Sequence, residues 1–129
     1  MDKYEIVKEF VFDSAHRLPG KKIYGKCSSI HGHTYHMFIK LGSNTLKHGM
    51  VINFVDLKTI VNKFIIEDLD HKFLNDVPWL NKVTTCENMS KAIFDRLKIG
   101  LVKVPKSKHI KLLEVKLYET PTSCAIYRG

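Results

Sequence analysis

Hydrophobic and polar positions change their period along the chain, and each change marks an element. From Tyr4 to Asp13, Ile6 and Val7 open a β-rich run that Phe10, Val11 and Phe12 continue, which predicts a strand. His33 to Leu41 (HTYHMFIKL) predicts a second. Leu46 to Met50 reads as a turn region in which Gly49 supplies the flexible position, and Met50 to Ile52 as a short extended piece. The period then lengthens. Leu57, Ile60, Val61, Phe64 and Ile65 fall on one stripe of a helix from about Val55 to Asp68, with Asn53 as N-cap and Asp56 as a first-turn acid. A second helix begins near Cys86, where Thr84 and Glu87 have the spacing of a capping box, and Met89, Ala92, Ile93, Phe94 and Leu97 form its apolar face. Beyond a Lys-rich loop around Pro105, Ile110 to Glu119 returns to strand with Leu113, Val115 and Leu117 as core candidates. Ser123 to Tyr127 predicts the last strand.

The order is ββααββ. Helices gathered in mid-chain with a strand pair on either side predict an α+β fold, a four-stranded antiparallel sheet with both helices on one face. A doubly wound parallel sheet would need helices alternating with strands. Such a sheet keeps two open edges and one bare face, so oligomerisation is expected. With 129 residues, 44% of them hydrophobic, the chain reads as a single globular domain over 1–129 that needs no disulfide support.

Cys27, Cys86 and Cys124 form an odd, scattered set rather than a disulfide framework, and MDKYEIVKEF lacks the apolar stretch of a signal peptide. A reducing cytoplasm is the expected location. No apolar run approaches a membrane span. The net charge of +8 raises a nucleic-acid reading, but the lysines are spread along the chain without a basic block or an aromatic stacking pattern. A lysine-rich solvated surface is the better reading, with neither nucleic acid nor membrane as partner. Such a surface also attracts a polyanionic small molecule such as a triphosphate.

The candidate chemistry gathers near the first two strands: His16 in FDSAHRL, then Cys27, His31 and His33 in CSSIHGHTY. Nitrogen and sulfur donors suit zinc, and residues i and i+2 of a strand face the same way, so His31 and His33 can reach one ion. Gly32 between them removes a side chain where the backbone bends close to the metal. His16 follows a separate β-rich segment and can supply the third ligand. Cys27 could close a structural site of one cysteine and three histidines, or stay free as a reactive thiol beside an open catalytic zinc. Asp70 and His71 in LDHKFLND pair a carboxylate with an imidazole, an arrangement that fixes a tautomer for acid–base work. Glu119, ending a strand before a proline turn, can accept two hydrogen bonds from a guanidine-like ring edge. Cys86 and Cys124 read as buried small residues, His36 as structural, and His48 and His109 as loop residues without a site role.

Taken in order, FDSAHRL, KCSSIHGHTY, GMVINFVDLK, LDHKFLND, TTCENMSKAI and VKLYETPTSCAIYRG resemble the 6-pyruvoyltetrahydropterin synthase family over almost the whole chain. The short step from Cys27 to His31 is similar to the bacterial and archaeal branch that holds 6-carboxy-5,6,7,8-tetrahydropterin synthase, an enzyme of queuosine biosynthesis. The pyruvoyl-forming enzymes have a longer gap, and a folate-pathway variant carries a glutamate at or just after the cysteine, where this chain has Ser28. Asn53 stands where many bacterial members have Asp, and Cys86 where the family usually has Thr or Ser. The resemblance implies a tunnelling fold whose sheets join into a barrel, commonly a homohexamer built as a dimer of trimers with sites between subunits. It implies zinc on His16, His31 and His33, Cys27 as general acid or base tuned by Asp70 and His71, and Glu119 anchoring a pterin, with Thr85 and Cys86 beside it. The implied reaction takes 7,8-dihydroneopterin triphosphate to 6-carboxy-5,6,7,8-tetrahydropterin with loss of acetaldehyde and triphosphate. A pyruvoyl product without carbon–carbon cleavage is the alternative, and a non-catalytic zinc module is the alternative of another class.

Overall fold

The computed structural model describes residues 2–105 and 108–129; the Lys106–Ser107 part of the predicted Lys-rich loop lies outside the described residues. β1 (Tyr4–His16) and β2 (His31–Ser43) form a long antiparallel pair, running in register from Tyr4 opposite Ser43 to His16 opposite His31. Both strands reach beyond their predicted ends, and the added residues include His16 and His31. Polar residues at a strand end carry little β signal, so the cross-strand pairing rather than local propensity holds them extended. β4 (Lys111–Thr120) lies against β2, and β5 (Ser123–Tyr127) against β4, both antiparallel.

The sheet has five strands rather than the four expected, in the order β3-β1-β2-β4-β5. The added β3 (Lys72–Phe73) is only two residues long and pairs parallel with Ser14 and Ala15 of β1. Two residues are too few to show a period. The α+β class and the antiparallel four-strand body hold, with this short parallel edge added.

One face of the sheet is covered. Phe12, Tyr35, Met37, Ile39, Leu41, Val115 and Leu117 point into a core shared with Leu57, Val61, Ile65, Leu69, Met89, Ile93 and Leu97 of the helices. Burying this apolar surface is the main stabilising term of the fold. The other face stays bare, with Val7 and Val11 each about half exposed. α1 (Phe54–Val61) starts at Asn53, whose side chain accepts the Val55 N–H at 2.8 Å, as the sequence predicts. It runs through a π-helical turn (Asn62–Ile66) into α2 (Glu67–Leu69). Arg96 Nε reaches the Phe64 carbonyl in that turn at 2.6 Å, and its Nη2 lies 3.1 Å from Asp68.

α3 (Cys86–Val102) is capped by Thr85, which accepts the Asn88 N–H at 3.2 Å, and not by Thr84 as predicted. The displacement by one residue matters, because Thr84 is fully buried and turned to another partner described below. Leu113 is half-buried rather than core. The β2–β4 register slips beside it, so the alternation breaks and Glu114 becomes the buried residue, held by Arg128 Nε at 3.0 Å. Cys124, expected to be buried, is exposed. It stands opposite Tyr118, out of phase with the buried Val115 and Leu117 of β4, so it falls on the uncovered side. The Leu46–Met50 turn closes between Lys47 and Met50, with His48 (φ 55°) and Gly49 (φ 76°) both left-handed, as a tight two-residue hairpin requires. No helix among the described residues is long and apolar enough to cross a membrane.

Candidate metal centre and active site

His16 and His31 are direct partners at the end of the β1–β2 ladder, and His33 is two residues further along β2 on the same face. Their rings crowd together, with centroids 4.6 Å apart for His16–His31, 5.2 Å for His16–His33 and 4.9 Å for His31–His33. Glu119, near the end of β4, brings its carboxylate into the same space: Oε1 lies 2.8 Å from His33 Nε2 and 4.0 Å from His16 Nε2. One ligand atom from each of these four residues lies within 4.8 Å of every other.

Burial and hydrogen bonding fix the state of this cluster. His16 is 1% exposed, and its Nδ1–H donates to the Thr84 carbonyl at 3.0 Å, with Thr84 Oγ1 also at 3.0 Å. The His31 Nδ1–H donates to the Ser29 carbonyl at 2.7 Å. A carbonyl only accepts, so each bond assigns the ring proton to Nδ1 and turns the Nε2 lone pair toward the cluster. Burial, followed by the neighbouring His31 and His33, lowers the His16 pKa to about 4. Burial also lowers that of His33, against the pull of Glu119. Neutral imidazoles with inward lone pairs are what a metal ion takes. The Nε2 atoms of His16 and His33 are buried without a hydrogen-bond partner; the approach of Glu119 to His33 is off the direction of such a bond. Two orphaned buried nitrogens beside a carboxylate are a donor set that fits a divalent cation.

His16, His31 and His33 converge, and Glu119 joins them, closer to the histidines than its expected part as a ring anchor required. Cys27 is not a member of the four-residue group. It lies half-buried in the turn Lys22–Ser28, its carbonyl accepting the Leu18 N–H at 2.8 Å. A site closed by one cysteine and three histidines is therefore not what the fold assembles. Gly32 has no steric role next to the cluster: a Cβ there would meet only the Ser14 carbonyl, at an ordinary 3.5 Å.

Asp70 and His71 do face each other, with Oδ2 3.0 Å from Nδ1. The Asp13 N–H donates to Asp70 Oδ1 at 3.0 Å and, with His71, holds the Asp70 carboxyl below the usual carboxylate range. His71 sits in a left-handed conformation (φ 57°) with its own N–H given to the Asp13 carbonyl at 2.6 Å. Asp13 in turn accepts from Thr34 Oγ1 at 2.5 Å. Asp13 and Thr34 are out of phase with the histidines on their strands, so this second cluster belongs to the opposite face of the sheet.

Beside Glu119 a pocket of roughly 360 Å³ is lined by Cys86, Glu87, Ser123, Cys124, Ala125 and Ile126. Burial pushes the Cys86 thiol up to about 12, and its S–H donates to the Leu117 carbonyl at 3.0 Å. Tyr35 follows His33 along the core face with its hydroxyl buried and unpartnered, and burial raises its pKa. Sequence reasoning missed Thr84, Ser29 and Asp13 as supports of the site. Thr84 carried a competing capping signal, Ser29 acts through its backbone, and nothing local ties Asp13 to a residue 57 positions later.

A family model described as 6-pyruvoyl tetrahydropterin synthase matches residues 5–129. A 6-carboxy-5,6,7,8-tetrahydropterin synthase of Haemophilus influenzae is 35% identical, the match covering 97% of this chain and 99% of that protein. A 6-pyruvoyl tetrahydrobiopterin synthase of Dictyostelium discoideum is 40% identical, covering 96% and 95%. The structure of Caenorhabditis elegans 6-pyruvoyl tetrahydropterin synthase superposes with a TM-score of 0.78 at 29% identity, over 100% of this chain and 99% of that one. The fold is the tunnelling fold of these proteins.

Proposed function

Because the chain belongs to the 6-pyruvoyl tetrahydropterin synthase family, we propose that it is a zinc-dependent lyase. In this reading residues 1–129 act as one catalytic domain that converts 7,8-dihydroneopterin triphosphate to 6-carboxy-5,6,7,8-tetrahydropterin, releasing acetaldehyde and triphosphate, a step toward queuosine. The observation that carries it is the convergence of His16, His31 and His33 with buried, unpartnered Nε2 atoms of His16 and His33 beside Glu119. Zinc held there supplies Lewis acidity toward the hydroxyls of the substrate side chain.

The remaining work falls to side chains of this protein. Glu119 accepts from the amino-pyrimidine edge of the pterin, in the pocket it shares with Cys86. Thr85 Oγ1 accepts from Asn88 and keeps its own proton to donate. Cys86 has committed its S–H to Leu117, so it shapes the pocket rather than bonding to substrate. Cys27 outside the ligand group is free to act as the proton acceptor and donor. Asp70, kept ionised, holds His71 for proton relay.

The two clusters lie on opposite faces of the sheet, which supports a site completed between subunits, with Asp70 and His71 serving the Cys27 of a neighbour. The short edges β3 and β5 and the bare face around Val7 and Val11 support assembly, as a dimer of trimers in this reading. Three free thiols agree with a cytoplasmic location.

The Dictyostelium relative favours a second reading, a pyruvoyl product formed without carbon–carbon cleavage. Asn53 does not add to it, since its side chain caps α1 and Asp would do the same. The short Cys27–His31 spacing and the Haemophilus relative support the carboxy product. Mass spectrometry of the products formed from 7,8-dihydroneopterin triphosphate by zinc-loaded protein tests the choice. Carboxytetrahydropterin with acetaldehyde supports the first reading, the pyruvoyl compound supports the second, and no turnover contradicts both.

A further inference from the structure

Between Asp13 and Asp56 the chain carries no acidic residue, and this stretch includes Cys27 and all three histidines of the candidate metal centre. Its first part is the connection from β1 to β2. That connection leaves the sheet at His16 and re-enters at His31, two residues directly paired across the ladder, so it rises straight from the candidate metal centre. It carries Arg17, Lys21, Lys22 and Lys26, all exposed. None of the four makes an ion pair among the described residues, whereas Lys40, Lys91, Lys111, Arg96 and Arg128 all meet carboxylates.

The connection is a built loop rather than a loose one. The Leu18 N–H bonds to the Cys27 carbonyl at 2.8 Å and closes it from Leu18 to Cys27. Inside the closure, Tyr24 N–H reaches the Lys21 carbonyl at 3.0 Å, and at its end Ser28 Oγ reaches the Gly25 carbonyl at 2.8 Å. Asn75 clamps its base from outside: Oδ1 accepts the Arg17 N–H at 2.9 Å, and Nδ2 donates to the Arg17 carbonyl at 2.8 Å. The Arg17 guanidinium lies back over the loop, its Nη2 3.5 Å from where a Cβ of Gly20 would sit. Lys82 adds a further cation at the clamp, its Nζ 3.4 Å from the Asn75 carbonyl. Four exposed cations on one short loop, in a stretch without a carboxylate, give it a positive potential that a multiply charged anion complements.

We propose that the loop from Arg17 to Ser28 is the docking surface for the triphosphate group of the substrate, with Arg17, Lys21, Lys22 and Lys26 as its positioning residues. This inference rests on the lyase reading above. It gives the loop that bears Cys27 a second role. The loop holds the anionic end of a molecule whose reacting carbons lie at the metal centre, and it keeps hold of the triphosphate as it leaves.

The test pairs calorimetric titration of zinc-loaded protein with sodium tripolyphosphate and steady-state kinetics on 7,8-dihydroneopterin triphosphate. Three triple variants are compared with the parent: Lys21→Gln/Lys22→Gln/Lys26→Gln, the same three positions changed to Arg, and Lys58→Gln/Lys63→Gln/Lys98→Gln on the helical side as a charge-matched control. The loop glutamine variant is expected to weaken tripolyphosphate binding about tenfold or more, to raise KM by more than it lowers kcat, and to flatten the salt dependence of both. The arginine variant restores binding, and the control variant behaves as the parent with unchanged zinc content. Equal losses in loop and control variants, or none in the loop variant, would overturn the inference while turnover by the parent keeps the lyase reading intact. Loop-dependent tripolyphosphate binding in a protein that does not turn over would contradict the lyase reading and, with it, the assignment of the loop to that substrate.

Discussion

His16 and His31 face each other across the last pair of the β1–β2 ladder with ring centroids 4.6 Å apart, and each has its Nδ1–H tied to a backbone carbonyl. Strand register thus brings two candidate ligands together, and two carbonyls, of Thr84 and Ser29, decide which nitrogen each presents.

Thr84 is the support that a side-chain change can reach. Replacing it with Val removes the Oγ1 contact to His16 Nδ1 and leaves the carbonyl bond in place. Zinc affinity, measured by competition with a chromophoric chelator, is expected to fall about tenfold with the fold unchanged.

The metal-free protein should be sensitive to mild acid. His16 titrates near its ordinary 6.5 when unfolded and near 4 when folded, so between these values the unfolded chain binds a proton that the native state refuses. Stability therefore falls as pH drops from about 6.5 to about 4, by up to roughly 3 kcal/mol for this one group, and levels off below. Denaturant titrations across that range should show the slope, and His16→Gln should remove the part that His16 contributes.

The proposed sharing of the site between subunits predicts complementation. Cys27→Ser and His71→Ala proteins should each keep full zinc content and lose nearly all turnover. Co-refolded as an equimolar mixture, they should regain about a quarter of wild-type activity from sites that draw each intact group from a different subunit. Recovery of none would place both groups in one chain's site.

Gly100 has a packing role independent of the chemistry. A Cβ there would lie 2.7 Å from the Phe64 ring, beside the π-helical turn. Gly100→Ala is expected to destabilise the fold by about 1–3 kcal/mol in a thermal or denaturant melt, with the metal site unaffected.

The period of hydrophobic residues marks β1, β2, β4 and both main helices because each buries an apolar stripe, and it marks β5 although that strand has no fully buried residue. It was silent on β3, where two residues show no period, and on the ends of β1 and β2, where histidines are held extended by pairing. The three histidines were legible because i and i+2 on a strand share a face whatever the rest of the chain does. The partition of Asp70 and His71 from them was not, since it depends on Asp13 accepting and donating across 57 residues of sequence. Thr84 and Thr85 offered the same local capping chemistry, and only the position of His16 decides between them. Glu119 was legible as a carboxylate at a strand end, but its approach to His33 follows from the β2–β4 pairing.

A metal centre built on histidine nitrogen, with Cys27 outside it, has a spectroscopic signature in X-ray absorption at the zinc edge of the zinc-loaded protein. A first shell of nitrogen and oxygen alone at about 2.0–2.1 Å, unchanged in Cys27→Ser, is expected; a sulfur ligand near 2.3 Å that vanishes in that variant would contradict it.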